Sequence, residues 1–148
     1  MITLKSDEAL EKLRKSGKIL SKVMKSLKEA ILPGVLTSEI DVLAQRLIAE
    51  EGARPAFKGY KGFPAAVCTS INEEIVHGIP GKRALCEGDI IGIDLGVNYL
   101  GYFTDAAVTL GIGLVDSNVL KLVEVTKEAL AEGIKKAVVG NRLSDISH

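Results

Sequence analysis

Two aspartates, Asp94 and Asp105, stand in the stretch Asp89-Ile-Ile-Gly-Ile-Asp-Leu-Gly-Val-Asn-Tyr-Leu-Gly-Tyr-Phe-Thr-Asp-Ala-Ala-Val-Thr-Leu110. A hairpin turning at Asn98-Tyr-Leu-Gly101, centred between Tyr99 and Leu100, would set Asp94 opposite Asp105. Strand side chains alternate faces, so the arrangement can be tested by parity. Ile91, Ile93, Leu95 and Val97 share one face with Ala106, Val108 and Leu110, which is a core face. Asp94 shares the other with Gly92 and Gly96, and Asp105 lies with Phe103, Ala107 and Thr109. Directly opposed residues have β-carbons about 4.5–5.5 Å apart, where like charges destabilise the pair. A shared proton, a basic neighbour or a metal ion must compensate. The small residues beside Asp94 leave room for an ion and a substrate. Two carboxylates suit a hard or borderline divalent cation such as Mn, Fe, Co or Mg, without selecting among them. The plainer alternative is one aspartate at a strand end in water, or a shifted register.

A second candidate is His77, in Asn72-Glu-Glu-Ile-Val-His-Gly-Ile-Pro80. A loop histidine beside Gly-x-Pro can donate a proton, ligate a metal or hydrogen-bond a substrate. The other histidine, His148, reads as a frayed terminus, so imidazole chemistry falls to His77. A satisfied histidine at a turn is the plainer alternative. Cys68 reads as a small apolar strand residue and Cys86 as a loop residue, neither in a C-x-x-C pattern. Phe57, Tyr60 and Phe63 make Ala53 to Pro64 the most aromatic stretch of the chain. They are either satellite packing or the wall of an apolar pocket over the site.

Helices and strands must position these residues. Ser6 to Ile31 predicts a long amphipathic helix, with Leu10, Leu13, Leu20, Met24, Leu27 and Ile31 at helical spacing. Ser6 or Asp7 can cap it, and Pro33-Gly34 ends it. A second helix starts at Thr37 or Ser38, with Ser38 and Asp41 as a loose capping box. Its stripe is Ile40, Leu43, Leu47 and Ile48, and Gly52 closes it. Strands are expected at Ala66 to Ile71, Ile75 to Val76, Asp89 to Val97 and Tyr102 to Ile112. A third helix, capped by Asp116 or Ser117, carries Leu120, Val123, Leu130 and Ile134 and stops near Gly140. Leu143 to His148 starts a fourth, with Ser144 as its cap. Helices followed by strands and a further helix make the class α+β.

Composition sets the remaining bounds. The chain has 148 residues, an expected single domain, with 19 Lys+Arg against 19 Asp+Glu and a formal net charge of zero. That balance leaves no electrostatic footprint for nucleic acid or anionic membrane. Apolar runs fall short of the roughly 20 residues of a membrane helix. Met1 to Lys5 leads straight into a charged helix, without the pattern of a signal peptide. Two cysteines are too few for a disulfide scaffold, and a cytoplasmic protein is expected. A mean hydropathy of +0.22 is high for a chain without a membrane segment, and fits an apolar face that something covers.

With these residues in place, the sequence closely resembles the type I methionine aminopeptidases. The matching pieces are Ser16-Gly17 in the opening helix, Pro33-Gly34-x-x-Thr37, Gly59-Tyr60-x-Gly62-Phe63-Pro64 and Val67-Cys68-x-Ser70-Ile71-Asn72-Glu73. His77-Gly78-Ile79-Pro80, Gly88-Asp89-Ile90, Ile93-Asp94 and Asp105 complete them. The resemblance implies a pita-bread fold, two α/β halves about a pseudo-two-fold axis with the active site between them. This chain matches about the first half, from about residue 4 to its end. It implies two divalent metal ions (Mn, Fe, Co or Zn), bridged by carboxylates and a water or hydroxide that attacks the first peptide bond and releases the initiator Met. Asp94 and Asp105 match the first two of five protein ligands, and His77 matches the histidine that contacts substrate and stabilises the transition state. Tyr60, Phe63 and Cys68 match positions lining the methionine pocket, and Phe57 stands where some members have a cysteine. Asn72 and Glu74 match backbone positions near a structural monovalent-cation site seen in some members. The implied partners are nascent polypeptides beginning with Met, with the ribosome as a further candidate, and the full-length family member is a monomer.

The family's other ligands, a histidine and two glutamates, match no residue after Asp105. The 148-residue chain is therefore expected to bind metal weakly and to be inactive alone. Three alternatives stand beside this reading. One is another pita-bread peptidase, a prolidase or an aminopeptidase P, which usually carries a separate N-terminal domain. Another is a non-catalytic half-fold binding module, against which speaks the joint presence of Asp94, Asp105 and His77. The last is a dimer of such chains, with four aspartates and neither the glutamates nor the ligand histidine.

Overall fold

In the computed structural model, which describes residues 4–148, the ten-residue strand β3, Ile90–Tyr99, organises one of two compact units. That unit runs to Leu114, and Val115–His148 forms the other. Of the Met1 to Lys5 leader, Met1, Ile2 and Thr3 lie outside the described residues.

Strand β4, Tyr102–Gly111, pairs antiparallel with β3 along its whole length. Each strand has two hydrogen-bonding edges, so the short β1, Arg54–Pro55, and β2, Val67–Ile71, share the other edge in tandem. Ile91, Ile93, Leu95 and Val97 are fully buried, as parity requires. Helix α1, Asp7–Ala30, and helix α2, Thr37–Glu50, contact each other and this sheet. Ile19, Val23 and Leu27 of α1 meet Ile40, Ala44 and Ile48 of α2 and the β3 side chains in one core. Ser16 is buried with them, donating to the Val97 carbonyl (3.2 Å) and accepting from the Thr104 hydroxyl (2.8 Å).

Several local expectations need correction. Leu10 is exposed, because it lies about 100° around α1 from the line of Leu27. Ser38 does not cap α2. Leu36 is the cap residue, its N–H held by the Glu39 carboxylate at 2.8 Å. Asp41 instead accepts from Gln45 and from the Ala66 N–H, both at 2.7 Å, anchoring the entry to β2. Ile75 and Val76 form no strand; they stand exposed in the loop after β2, and it is Gly78 further along that loop that bonds the outer edge of β2.

The hairpin register also differs. Tyr99 faces Tyr102, and the turn is Leu100-Gly101, with φ of +52° and +86°. Positive φ at both positions gives a primed turn whose twist suits a two-residue hairpin. Asp94 therefore faces Ala107, and Asp105 faces Gly96. The slip is two residues, so both aspartates keep their face.

In the second unit, helix α3, Ser117–Lys136, starts at Asp116, whose carboxylate accepts from the Asn118 N–H at 2.8 Å. It ends at Lys136, short of Gly140. Ser144 does not cap α4, Ser144–Ser147; Asp145 instead accepts from the Arg142 N–H at 2.8 Å. No helix among the described residues is long and apolar enough to cross a membrane.

Candidate active site

The sheet face turned away from the core carries Gly92, Asp94 and Gly96 of β3. On β2, Cys68 sits directly across from Asp94, and Ser70 across from Gly92. On β4, Asp105 sits across from Gly96. The two aspartates are diagonal neighbours on one face, roughly 7–8 Å apart by strand geometry, with their β-carbons somewhat closer. Asp105 is exposed, whereas Asp94 is partly enclosed, and its buried Oδ1 has no hydrogen-bond partner among the described residues. Burial first, and then the charge of Asp105, push the Asp94 carboxyl above the usual carboxylate range, while His77 acts in the opposite direction. The Cys68 thiol is pushed up to about 11, by burial and then by Asp94 and Asp105. It stays protonated at neutral pH and serves as an apolar wall, not a nucleophile.

Over this face lies a cavity of about 490 Å³. Phe57, Tyr60, Phe63, Cys68, His77 and Asp94 line it, together with Pro64 and Ile79. The Phe57 and Phe63 rings meet edge to face, 6.5 Å between centroids at 85°. They descend from the loop between β1 and β2, where Tyr60–Gly62 forms a single 3-10 turn. That loop is tied to the sheet by the Ala56 N–H, which donates to the Gly96 carbonyl at 2.9 Å.

His77 reaches the cavity from the loop after β2, with a left-handed φ of +59°. Gly78 fastens that loop. Its N–H donates to Ser70 Oγ (3.1 Å), and its carbonyl accepts from the Thr69 N–H (2.8 Å). A β-carbon on Gly78 would fall 2.1 Å from the Thr69 carbonyl oxygen, so the crossing requires glycine.

Asn72 and Glu74 sit apart from the cavity, in the turn leaving β2. Asn72, at φ +53°, donates to Asp89 Oδ1 (2.8 Å) and accepts from the Ile90 N–H (3.0 Å). The Glu74 carboxylate accepts from the Ile71 N–H (2.9 Å) and faces Arg83 at 3.5 Å.

Six of the nine singled-out residues thus converge on one cavity. Asp105 lies on the same sheet face, and Asn72 and Glu74 lie in the neighbouring turn. Sequence reasoning missed Ser70, Gly78 and Gly96 as positioning residues. Gly78 and Gly96 each stand where another segment crosses closely, a juxtaposition the local sequence does not display.

The described residues contain no group of three His, Cys, Asp or Glu side chains able to hold a metal. The donor set on this face is two carboxylates. It fits a divalent ion as a partial ligand set, because the orphaned Asp94 Oδ1 is a buried acceptor that a cation would satisfy.

The chain is 51% identical over 149 residues to a methionine aminopeptidase of Clostridium acetobutylicum, covering all of this chain and 60% of the relative. It is 47% identical over 148 residues to methionine aminopeptidase 1 of Bacillus subtilis, again covering all of this chain and 60% of the relative. The crystal structure of a methionine aminopeptidase from Thermotoga maritima superposes with a TM-score of 0.96 at 40% identity, over all of this chain and 60% of that one. The chain thus spans about three fifths of the length of the relatives it matches. The model of metallopeptidase family M24 matches residues 11–148, and the chain belongs to that family.

Proposed function

We propose that this chain carries the substrate pocket and two metal-holding carboxylates of a methionine aminopeptidase, which removes the initiator methionine from nascent polypeptides. One observation carries the reading: an aromatic-walled cavity ends at a partly buried carboxylate whose inner oxygen has no hydrogen-bond partner among the described residues. The relatives' shared name favours this over a prolidase-like activity or a non-catalytic module.

In this reading Asp94 and Asp105 hold the divalent ions. The chemistry such ions supply when bound is polarisation of the peptide carbonyl and acidification of water. Phe57, Tyr60, Phe63 and Cys68 receive the unbranched thioether side chain, which suits an apolar, adaptable pocket. His77, held by its glycine, hydrogen-bonds the substrate at the cavity rim and steadies charge that develops there. The backbone around Asn72 and Glu74 receives a monovalent cation. Contact with the ribosome and a cytoplasmic location follow from acting on nascent chains. With two carboxylates as its contribution, the 148-residue chain alone holds a divalent ion weakly.

The test uses the native protein from its source cells, supplied with Mn or Co, on Met-Ala-Ser and X-Pro peptides. Release of free Met, faster than any X-Pro cleavage, is the expected result. A preference for X-Pro peptides would overturn the reading.

A further inference from the structure

Gly96 lies on the site face of β3, yet it is buried. Its cover comes from the loop after β1. A β-carbon placed on Gly96 would fall 2.8 Å from Phe57 Cε1, 3.3 Å from Phe57 Cδ1 and 2.8 Å from Ala56 Cβ. Such separations are far inside carbon–carbon contact, so the Phe57 ring lies where a side chain at 96 would stand. The Phe57 and Phe63 rings pack edge to face, and both line the cavity. Gly96 is also the direct cross-strand partner of Asp105.

We infer that Gly96 is a specificity-determining residue that never touches the ligand. Its missing side chain lets an edge of the Phe57 ring sit against β3, and so sets how long a side chain the pocket accepts. The inference rests on the proposed methionine pocket. The retreat of the ring is what leaves space for an unbranched chain of methionine length. Pushing the ring off β3 moves it toward Phe63 and the cavity, since the Ala56 N–H bond to the Gly96 carbonyl holds the loop's root in place. The pocket then shortens on its Phe57 side, not at Cys68.

The experiment compares the unsubstituted chain with Gly96→Ala, Phe57→Ala and the double variant. NMR titrations with methioninamide, norleucinamide and alaninamide read selectivity, and thermal unfolding reads the coupling. One methylene in an apolar pocket is worth about 10–200-fold. Gly96→Ala is expected to lower the methioninamide-to-alaninamide affinity ratio by at least about 10-fold on that scale. Phe57→Ala in the Gly96→Ala background is expected to restore methioninamide binding. The Tm loss caused by Gly96→Ala should be smaller in the Phe57→Ala background, with a residue left by Ala56 Cβ.

Unchanged selectivity in a Gly96→Ala chain that still binds methioninamide would overturn this inference alone. Failure of the unsubstituted chain to bind any amide, with the thermal coupling intact, would overturn the methionine-pocket reading and the specificity role with it. Equal Tm losses in both backgrounds would show that the ring does not depend on Gly96.

Discussion

Consider Asp94→Asn, which keeps the shape of the side chain and removes its charge. In the metal-free chain that charge is costly twice. Its Oδ1 is buried without a partner, and Asp105 stands diagonally across on the same face. At roughly 7–8 Å and an effective dielectric near 20, the repulsion is about 2 kcal/mol. Asp105 faces water, so screening reduces this to about 1 kcal/mol. In chelator, Asp94→Asn should therefore raise Tm by about 2–4 °C for a chain of this size. With Mn at a hundredfold excess over Kd, the unsubstituted chain gains about 2.7 kcal/mol, or roughly 5–10 °C, and the variant gains little. The two proteins should exchange rank between chelator and metal. Differential scanning fluorimetry in EDTA and across a Mn series reads both arms. The pH dependence follows the same sign. The native Asp94 carboxyl titrates above its unfolded value, so the folded state binds more protons there. Stability then falls as pH rises from the ordinary carboxylate range through the native value, and Asp94→Asn removes that fall. A lower Tm for the variant in chelator, or an equal metal shift in both proteins, would refute the reasoning.

Three further outcomes follow from particular residues. Leu100 is an exposed leucine at φ +52° in a primed turn, so Leu100→Asn should stabilise by about 1 kcal/mol, and a Tm at or below the parent's would count against it. Gly78→Ala forces a β-carbon onto the Thr69 carbonyl, and a cost of about 2–4 kcal/mol with faster exchange at the Thr69 amide is expected. An unchanged Thr69 amide would show that the loop is not fastened there. The bond from Asn72, then that from the Cys86 N–H, hold the Asp89 carboxyl below its usual range. Its contribution is present above the unfolded carboxylate value and lost as pH falls through the native one, so Asp89→Ala should flatten the acid limb of a Tm–pH curve.

Much of the arrangement was legible because strands have period two. The shared face of Asp94 and Asp105 survives the two-residue difference between the expected and observed hairpins, since an even slip preserves every side chain's face. The register itself was not legible, because its turn places a leucine at φ +52°, against that residue's preference. Ile75 and Val76 illustrate the converse. Their β-branched chemistry suits a strand, but tertiary context decides pairing: Gly78, not Ile75 or Val76, bonds the outer edge of β2. The aromatic stretch was visible as a cluster, while its seating on Gly96 was not. That seating depends on Ala56, Phe57 and Gly96 meeting across some forty residues of chain, and local propensity carries no trace of it.

Strand β2 gives consecutive residues separate tasks: Cys68 walls the cavity, Thr69 offers its N–H, and Ser70 its hydroxyl, to the glycine behind His77. The spacing between pocket wall and imidazole is thereby inherited from bond lengths along a strand, not negotiated by a wandering loop. Thermal agitation that lifts the histidine must first peel its glycine from the strand that forms the wall. Grip on the side chain and aim of the imidazole should fade together on heating, as one melting event.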